Sequence, residues 1–332
     1  MDALSNVLKS VQLEGAVYLN AEFTAPWCVS AKFGLASVRA RLGGGDKVLF
    51  FHYLTEGCCK VKLDDSPDTL EAAAGDLVLF LNEDRHLLGS DLRLVPVETA
   101  HLIDAGAAGA ADLAQLRHGG GGAATRFVCG YLACSQILCR PLLEALPRVL
   151  RIPVGDRQAG TLLRELLRTG VSESLSSRPG ADSALAKLSE LIFVEAMRRY
   201  VEDLPPEGRG WLAGIRDPQI GRTLALLHGN PSRTWTVDDL ARRVALSRSA
   251  FAERFATLVG EPPMKYLKRW RLALAAQVLR AGNETIGYVA EYSGYESEAA
   301  FTRAFKNEFG LPPATWRRNP GYAAPRLNQG IR

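Results

Sequence analysis

Two short stretches carry side chains spaced for reading nucleic acid. Phe251 and Phe255 stand four residues apart, as do Phe301 and Phe305. On a helix that spacing turns both rings to one face. It leaves Arg248, Ser249, Glu253 and Arg254 on the other face of the first stretch. On the second it leaves Ser297, Glu298, Thr302, Arg303 and Lys306. Ser247 stands at the start of the first. Guanidinium, hydroxyl and carboxylate groups on one helical face match the base edges and phosphates of a DNA major groove. Arg248 and Arg303 are the first candidates for such contacts, Ser249 and Thr302 the second. Lys265, Lys268, Arg269 and Arg271 are expected to meet phosphates or solvent.

A second chemistry is that of thiols, six in number. Cys58 and Cys59 are adjacent, so in a strand they face oppositely. Cys129 and Cys134 differ by an odd number and do the same in a continuous strand. Cys139 stands beside Arg140, and a neighbouring cation lowers a thiol pKa. Cys134 and Cys139 are the first pair to consider as disulfide partners. A small buried apolar role is the alternative for any of them.

Each of these stretches needs a scaffold. Thr236 to Phe255 and Thr285 to Phe305 both read as helix, turn, helix. Each first helix has a small residue at its middle (Ala241, Ala290), which permits close helix approach. Ala245-Leu-Ser247 and Ser293-Gly-Tyr295 supply the turns. Between the units, Met264 to Arg280 has helical periodicity after Pro262-Pro263. Such a helix spans roughly 25 Å, enough to set two recognition helices about one DNA turn apart, roughly 34 Å.

Leu246-Ser-Arg-Ser-Ala-Phe-Ala-Glu-Arg-Phe, Gly260-Glu-Pro-Pro-Met-Lys-Tyr-Leu, Arg269-Trp-Arg-Leu and the run from Gly294 to Arg317 resemble the DNA-binding domain of AraC/XylS-type transcription regulators. The resemblance covers about a hundred residues.

Charge divides accordingly. From Arg209 to Arg332 there are 19 Lys and Arg against 10 Asp and Glu, a surplus of +9. The remainder holds 21 against 26, or −5, which restores the total of +4. A basic C-terminal third fits a domain held against phosphate. The N-terminus lacks a basic stretch followed by an apolar core, so no signal peptide is expected. No apolar run approaches membrane-spanning length. Six cysteines in so long a chain fit a reducing, cytoplasmic setting.

The N-terminal part reads as a short amphipathic helix at residues 4–14, then short strands. These are Gly15–Phe23, Cys28–Ala31, Leu35–Arg41, Lys47–Leu54, Cys59–Leu63, Asp76–Leu81 and Arg126–Leu132. Many short strands between Gly, Asp, Pro and Ser turns imply a sandwich or barrel. Ala105 to Ala124, with four consecutive glycines, reads as a flexible loop. Pro141–Leu150, Gly160–Thr169 and Ala184–Glu202 are expected helices, and Ser172–Gly180 a Ser-rich loop.

Gly75 to His86 resembles the second motif of a cupin barrel, with Leu81 and Glu83 replacing its usual Pro and Gly. Phe50 to Gly57 resembles the first motif, with Phe50 in place of one histidine. The resemblance implies that His52, Glu56 and His86 line an effector pocket or converge on a metal; three N/O donors suit a divalent transition metal. Met1-Asp-Ala-Leu-Ser, Phe51 to Gly57, Gly75 to Phe80 and Val128-Cys-Gly130 also resemble a subgroup responsive to oxidants and electrophiles. Cys129 matches a sensing cysteine there, and Ala21 falls near the second. Cys129, Cys134 and Cys139 are thus the candidate redox residues.

The expected fold is α+β in two domains. Residues 1–140 form a cupin-like sensor barrel and 141–203 a helical segment that the resemblance implies is a dimer contact. Residues 204–210 form a linker, 211–318 an all-α domain with two helix-turn-helix motifs, and 319–332 a loose tail. The resemblance implies an activator that binds double-stranded promoter DNA as a homodimer, meets RNA polymerase and answers a small effector or an oxidant. It calls for no cofactor and no membrane. The alternative is a cupin-type metal-dependent enzyme fused to a DNA-binding domain.

Overall fold

The computed structural model describes the chain apart from residues 1, 11–13, 33–45, 107–113, 155–160, 175–177, 206–209, 283 and 320–332. It is α+β and divides into two compact units. One comprises residues 13–134 and 146–203. The other comprises residues 1–12, 135–145 and 204–332.

The first unit is built on two sheets. Its strands are β1 (Glu14–Thr24), β2 (Cys28–Ala31), β3 (Lys47–Glu56), β4 (Cys58–Leu63), β5 (Thr69–Ala73), β6 (Asp76–Phe80), β7 (His86–Gly89), β8 (Val97–Glu98), β9 (Ala114–Gly119), β10 (Ala124–Cys134) and β11 (Val149–Pro153). One sheet runs β11-β6-β3-β10-β1-β9, the other β5-β4-β7-β2-β8. Alternate residues of both meet in one apolar core, including Leu19, Phe23 and Phe50 from the first sheet and Val29, Val61 and Leu88 from the second. Helix α2 (Thr99–Gly106) follows β8.

The expected strand Leu35–Arg41 lies outside the described residues. Two expectations are corrected. Part of the Ala105–Ala124 stretch is strand β9, parallel to β1, with Leu116 in the core. The glycine run after it is bonded rather than loose. Gly120 N–H donates to Thr24 O (2.8 Å) and Gly122 N–H to Ala25 O (2.8 Å). A Cβ on Gly119, at φ +137°, would lie 2.0 Å from Thr24 O. The glycines serve close backbone approach. The expected helix 141–150 is instead a helix at Gln136–Leu143 followed by strand β11, which pairs with β6.

Helices α4 (Thr161–Ser174) and α5 (Ala181–Asp203) complete this unit. The Ser-rich stretch begins within α4; residues 175–177 of it are not described. Leu185, Ile192, Phe193, Ala196 and Met197 of α5 are buried. At Gly15 of β1 a Cβ would meet Ser189 Cβ at 2.5 Å, so α5 lies close on its own barrel.

The second unit is helical: α1 (Ala3–Ser10), α3 (Gln136–Leu143), α6 (Trp211–Arg216), α7 (Pro218–Gly229), α8 (Val237–Arg243), α9 (Arg248–Val259), α10 (Pro263–Ala281), α11 (Ile286–Tyr292), α12 (Glu298–Phe309) and α13 (Pro313–Arg318). Helices α1 and α3 stand with this unit, although the expected boundaries place α1 in the barrel and divide α3 between the barrel and the helical segment 141–203. Asn6 of α1 donates to Ala225 O of α7 (3.4 Å). Ile137 of α3 packs on a core that includes Leu272, Ala276, Phe305 and Trp316.

Candidate nucleic-acid interface and barrel interior

Each helix-turn-helix unit is fixed by the same local bonds. Thr236 and Thr285 accept from the amides of Asp239 and Tyr288 (both 3.1 Å). Ser247 and Ser297 accept from Ala250 and Ala300 (both 3.2 Å). These hydroxyls satisfy amides that a helix start otherwise leaves unpaired. In each turn an amide reaches back five residues, Leu246 to Ala241 O (3.0 Å) and Tyr295 to Ala290 O (2.9 Å). Phe251, Phe255, Phe301 and Phe305 are fully buried. Both second helices end in a left-handed glycine, Gly260 and Gly310.

The opposite faces are exposed, as the spacing requires. Arg248, Ser249 and Glu253 stand open on α9, and Glu298, Arg303 and Lys306 on α12, with Thr302 half-buried. Arg248 lies 3.3 Å from Asp238, and both are exposed. Three predicted contacts have intramolecular duties. Ser247 and Ser297 cap their helices. Arg254 donates from Nε to Asp217 Oδ2 (3.0 Å), whose other oxygen caps α7 through the amides of Gln219 and Ile220. Behind α9, Arg269 pairs with buried Glu261 (2.7 Å), and Arg271 donates to Pro231 O (2.6 Å) and Arg233 O (2.8 Å). Spacing within one helix carries no sign of these distant partners.

Under the helices lies a buried polar chain. Trp211 Nε1–H donates to Tyr266 Oη (2.9 Å), which lies 2.7 Å from His228 Nε2. Burial raises the Tyr266 pKa and pulls that of His228 down to about 3. The neutral phenol therefore donates onward to a neutral imidazole.

In the barrel, β3 and β10 pair with His52 directly opposite Cys129. His52 Nδ1 lies 2.8 Å from Cys129 Sγ. Burial drives the Cys129 thiol pKa well up and pulls His52 down to about 3, with a smaller contribution from His86. A protonated thiol donates to Nδ1, which leaves the His52 proton on Nε2. His86 is stacked on Phe80 (3.7 Å between centroids). Its Nδ1 donates to Asp84 O (3.0 Å), and burial holds its pKa at about 4. The His52 and His86 rings are 5.6 Å apart. Their Nε2 atoms and buried Trp27 Nε1 have no hydrogen-bond partner among the described residues. Trp27, an isolated aromatic beside a turn, has no signal in the sequence that marks it for this site.

Glu56 does not join them. The β3–β10 register slips, with Phe127 opposite Leu54 but Arg126 opposite Glu56. The extra residue, Thr55, breaks the alternation that would put Glu56 on the His52 face. Glu56 is exposed and paired with Arg126. A metal therefore does not fit. His52 Nδ1 is engaged by a thiol, Glu56 is on the rim, and no group of three donors among the described residues is placed to hold an ion.

The thiols correct a second expectation. None of the six is joined in a disulfide, and Cys58 alone is exposed. Cys134 and Cys139 are fully buried and not joined. Arg140, next to Cys139 in the chain, donates to Glu144 (2.7 Å).

A cupin family model matches residues 2–202, and a helix-turn-helix domain model matches residues 240–319. A putative AraC-like transcription regulator of Streptomyces lividans is 34% identical over 275 residues, 82% of this chain and 88% of that protein. The HTH-type transcriptional regulator AlkR of Acinetobacter baylyi is 29% identical across 96% of this chain and 99% of its own length. The RCS-specific HTH-type transcriptional activator RclR of Escherichia coli is 28% identical across 98% and 100%. These similarities identify a regulator rather than an enzyme. The chain belongs to the AraC-type transcription regulators, with a cupin domain ahead of a DNA-binding domain of two helix-turn-helix units.

Proposed function

We propose that α9 and α12 enter adjacent major grooves of promoter DNA in the cytoplasm. Arg248, Ser249 and Glu253 would face one groove, and Glu298, Thr302, Arg303 and Lys306 the other. The observation that carries this is the matched capping and turn bonding of the two units, with a polar exposed face on each. The chain acts as an activator that presents RNA polymerase to the promoter; the relative RclR is named an activator. It pairs as a homodimer through α4 and α5, which expose Leu162 and Leu191.

The barrel answers an uncharged small molecule with a hydrogen-bonding group. Both histidines are held neutral there, and their free nitrogens lie among aromatic rings. A buried unpaired polar group costs about 1–3 kcal/mol, which a suitable ligand relieves. A second reading, oxidation at Cys129, draws on the similarity to RclR, named RCS-specific. The test is binding of the full chain to DNA from upstream of its own gene, across salt, with and without a mild oxidant. Specific binding that weakens steeply with salt is expected. No specific binding in any condition overturns the DNA reading, and binding altered by oxidant favours the second.

A further inference from the structure

The two helix-turn-helix units match residue for residue through their first helices. With Thr236 set on Thr285, Ala241 falls on Ala290 and Ala245 on Gly294. Three surface positions then differ in kind. Asp239 corresponds to Tyr288, Arg242 to Glu291 and Arg243 to Tyr292. Helix α11 carries no Lys or Arg.

Tyr288 and Tyr292 are 49% and 46% exposed, among the few large apolar side chains so placed among the described residues. Their rings stack at 6.2 Å and 16°. Glu291 is exposed between them, and Glu284 and Glu298 are exposed nearby in the chain. Charge follows suit. Residues 236–260 hold four Lys and Arg against three Asp and Glu, and residues 285–310 hold two against four. The first unit is therefore +1 and the second −2.

A face that meets phosphates gains from cations and loses from carboxylates. An ordered aromatic pair with a carboxylate has the composition of a protein-binding surface, where tyrosines supply large contact at small entropic cost. Arginine is its natural complement, because it stacks on an aromatic face and pairs with a carboxylate at once. We infer that the Tyr288–Glu291–Tyr292 face of α11 is a docking surface for a basic, arginine-bearing segment of a second protein that works beside the bound DNA. This rests on the DNA-binding reading.

The test uses the full chain as a Tyr288→Ala/Tyr292→Ala double variant and as Glu291→Lys. Binding to the upstream DNA is measured alongside output from a reporter driven by that DNA. The expected result is DNA affinity within about twofold of the parent, unchanged thermal unfolding, and reporter output shifted at least about fivefold toward that of cells lacking the protein, in both variants. If the tyrosine variant loses DNA affinity while Glu291→Lys tightens it, the face meets phosphate and the inference fails. Unchanged output in both also overturns it, and loss confined to the tyrosine variant overturns the basic partner. If the parent protein does not bind the DNA, the underlying reading is at fault instead.

Discussion

Ala245 and Gly294 hold the same place in the two turns, at φ +55° and +74°, each just before the residue whose amide reaches back five positions. Alanine is strained there by its Cβ, at about 1–2 kcal/mol, while glycine returns part of that gain through unfolded-state entropy. Ala245→Gly should stabilise the helical unit by about 0.5 kcal/mol. Gly294→Ala should destabilise it by about 1–3 kcal/mol, since the new Cβ would stand 3.0 Å from Arg271 Cζ and 3.1 Å from Ser232 O. Urea unfolding of the two variants checks the opposite signs.

Arg254 and Arg303 should separate scaffold from interface. Arg303→Ala is expected to weaken DNA binding and lower the salt slope by about one. Arg254→Ala removes the partner of capping Asp217. It should cost stability of up to about 1 kcal/mol, discounted for its half-exposed guanidinium, and leave the salt slope unchanged. DNA titrations at several salt concentrations, with denaturant melts, distinguish them.

Three buried histidines set the acid response. His52, His86 and His228 have native pKa values depressed to about 3, 4 and 3. Unfolded, each takes a proton near pH 6.5. The unfolded state binds more protons below that value, so the stability they contribute is present above pH 6.5 and is lost as pH falls toward 4–3. Each histidine contributes a slope of up to about 1.4 kcal/mol per pH unit. Urea midpoints for both units should fall between pH 7 and 5, and His228→Gln should flatten the response of the helical unit. A midpoint indifferent to pH in that window would count against buried neutral imidazoles.

Thiol accessibility bears on the oxidant reading. Cys58 is exposed and the other five are buried, with Cys59 pushed up to about 12 and Cys129 higher. A water-soluble disulfide reagent should modify one thiol per chain quickly and the rest only on unfolding. Cys58→Ser should abolish the fast phase. Rapid modification of Cys129 in the folded chain would favour oxidation over an uncharged effector.

The helix-turn-helix pair can be read from sequence because its determinants are local: a cap, a small residue, a turn and a Phe pair, all within twenty positions. Strands β8, β9 and β11 cannot, because distant partners define them. Val149–Pro153 is a strand only because β6 offers its edge. Glu56 defeats the spacing argument through one extra residue in β3. Arg254 does so because Asp217 lies 37 positions away. The facing of His52 and Cys129 depends likewise on pairing between strands far apart in the chain.

The chain crosses between its two compact units four times, since α1 and α3 belong with the helical unit while β1–β10 and β11–α5 form the barrel. This governs the order of assembly. Helix α1 leaves the ribosome early, yet Asn6 waits 219 positions for Ala225. Contacts of such separation carry the largest loop-closure cost and form late. The barrel should therefore assemble first during synthesis and the helical unit last. Excision at the 204–210 linker likewise cannot release the whole helical unit. The fragment would leave Ile137 behind and expose the apolar wall that it covers.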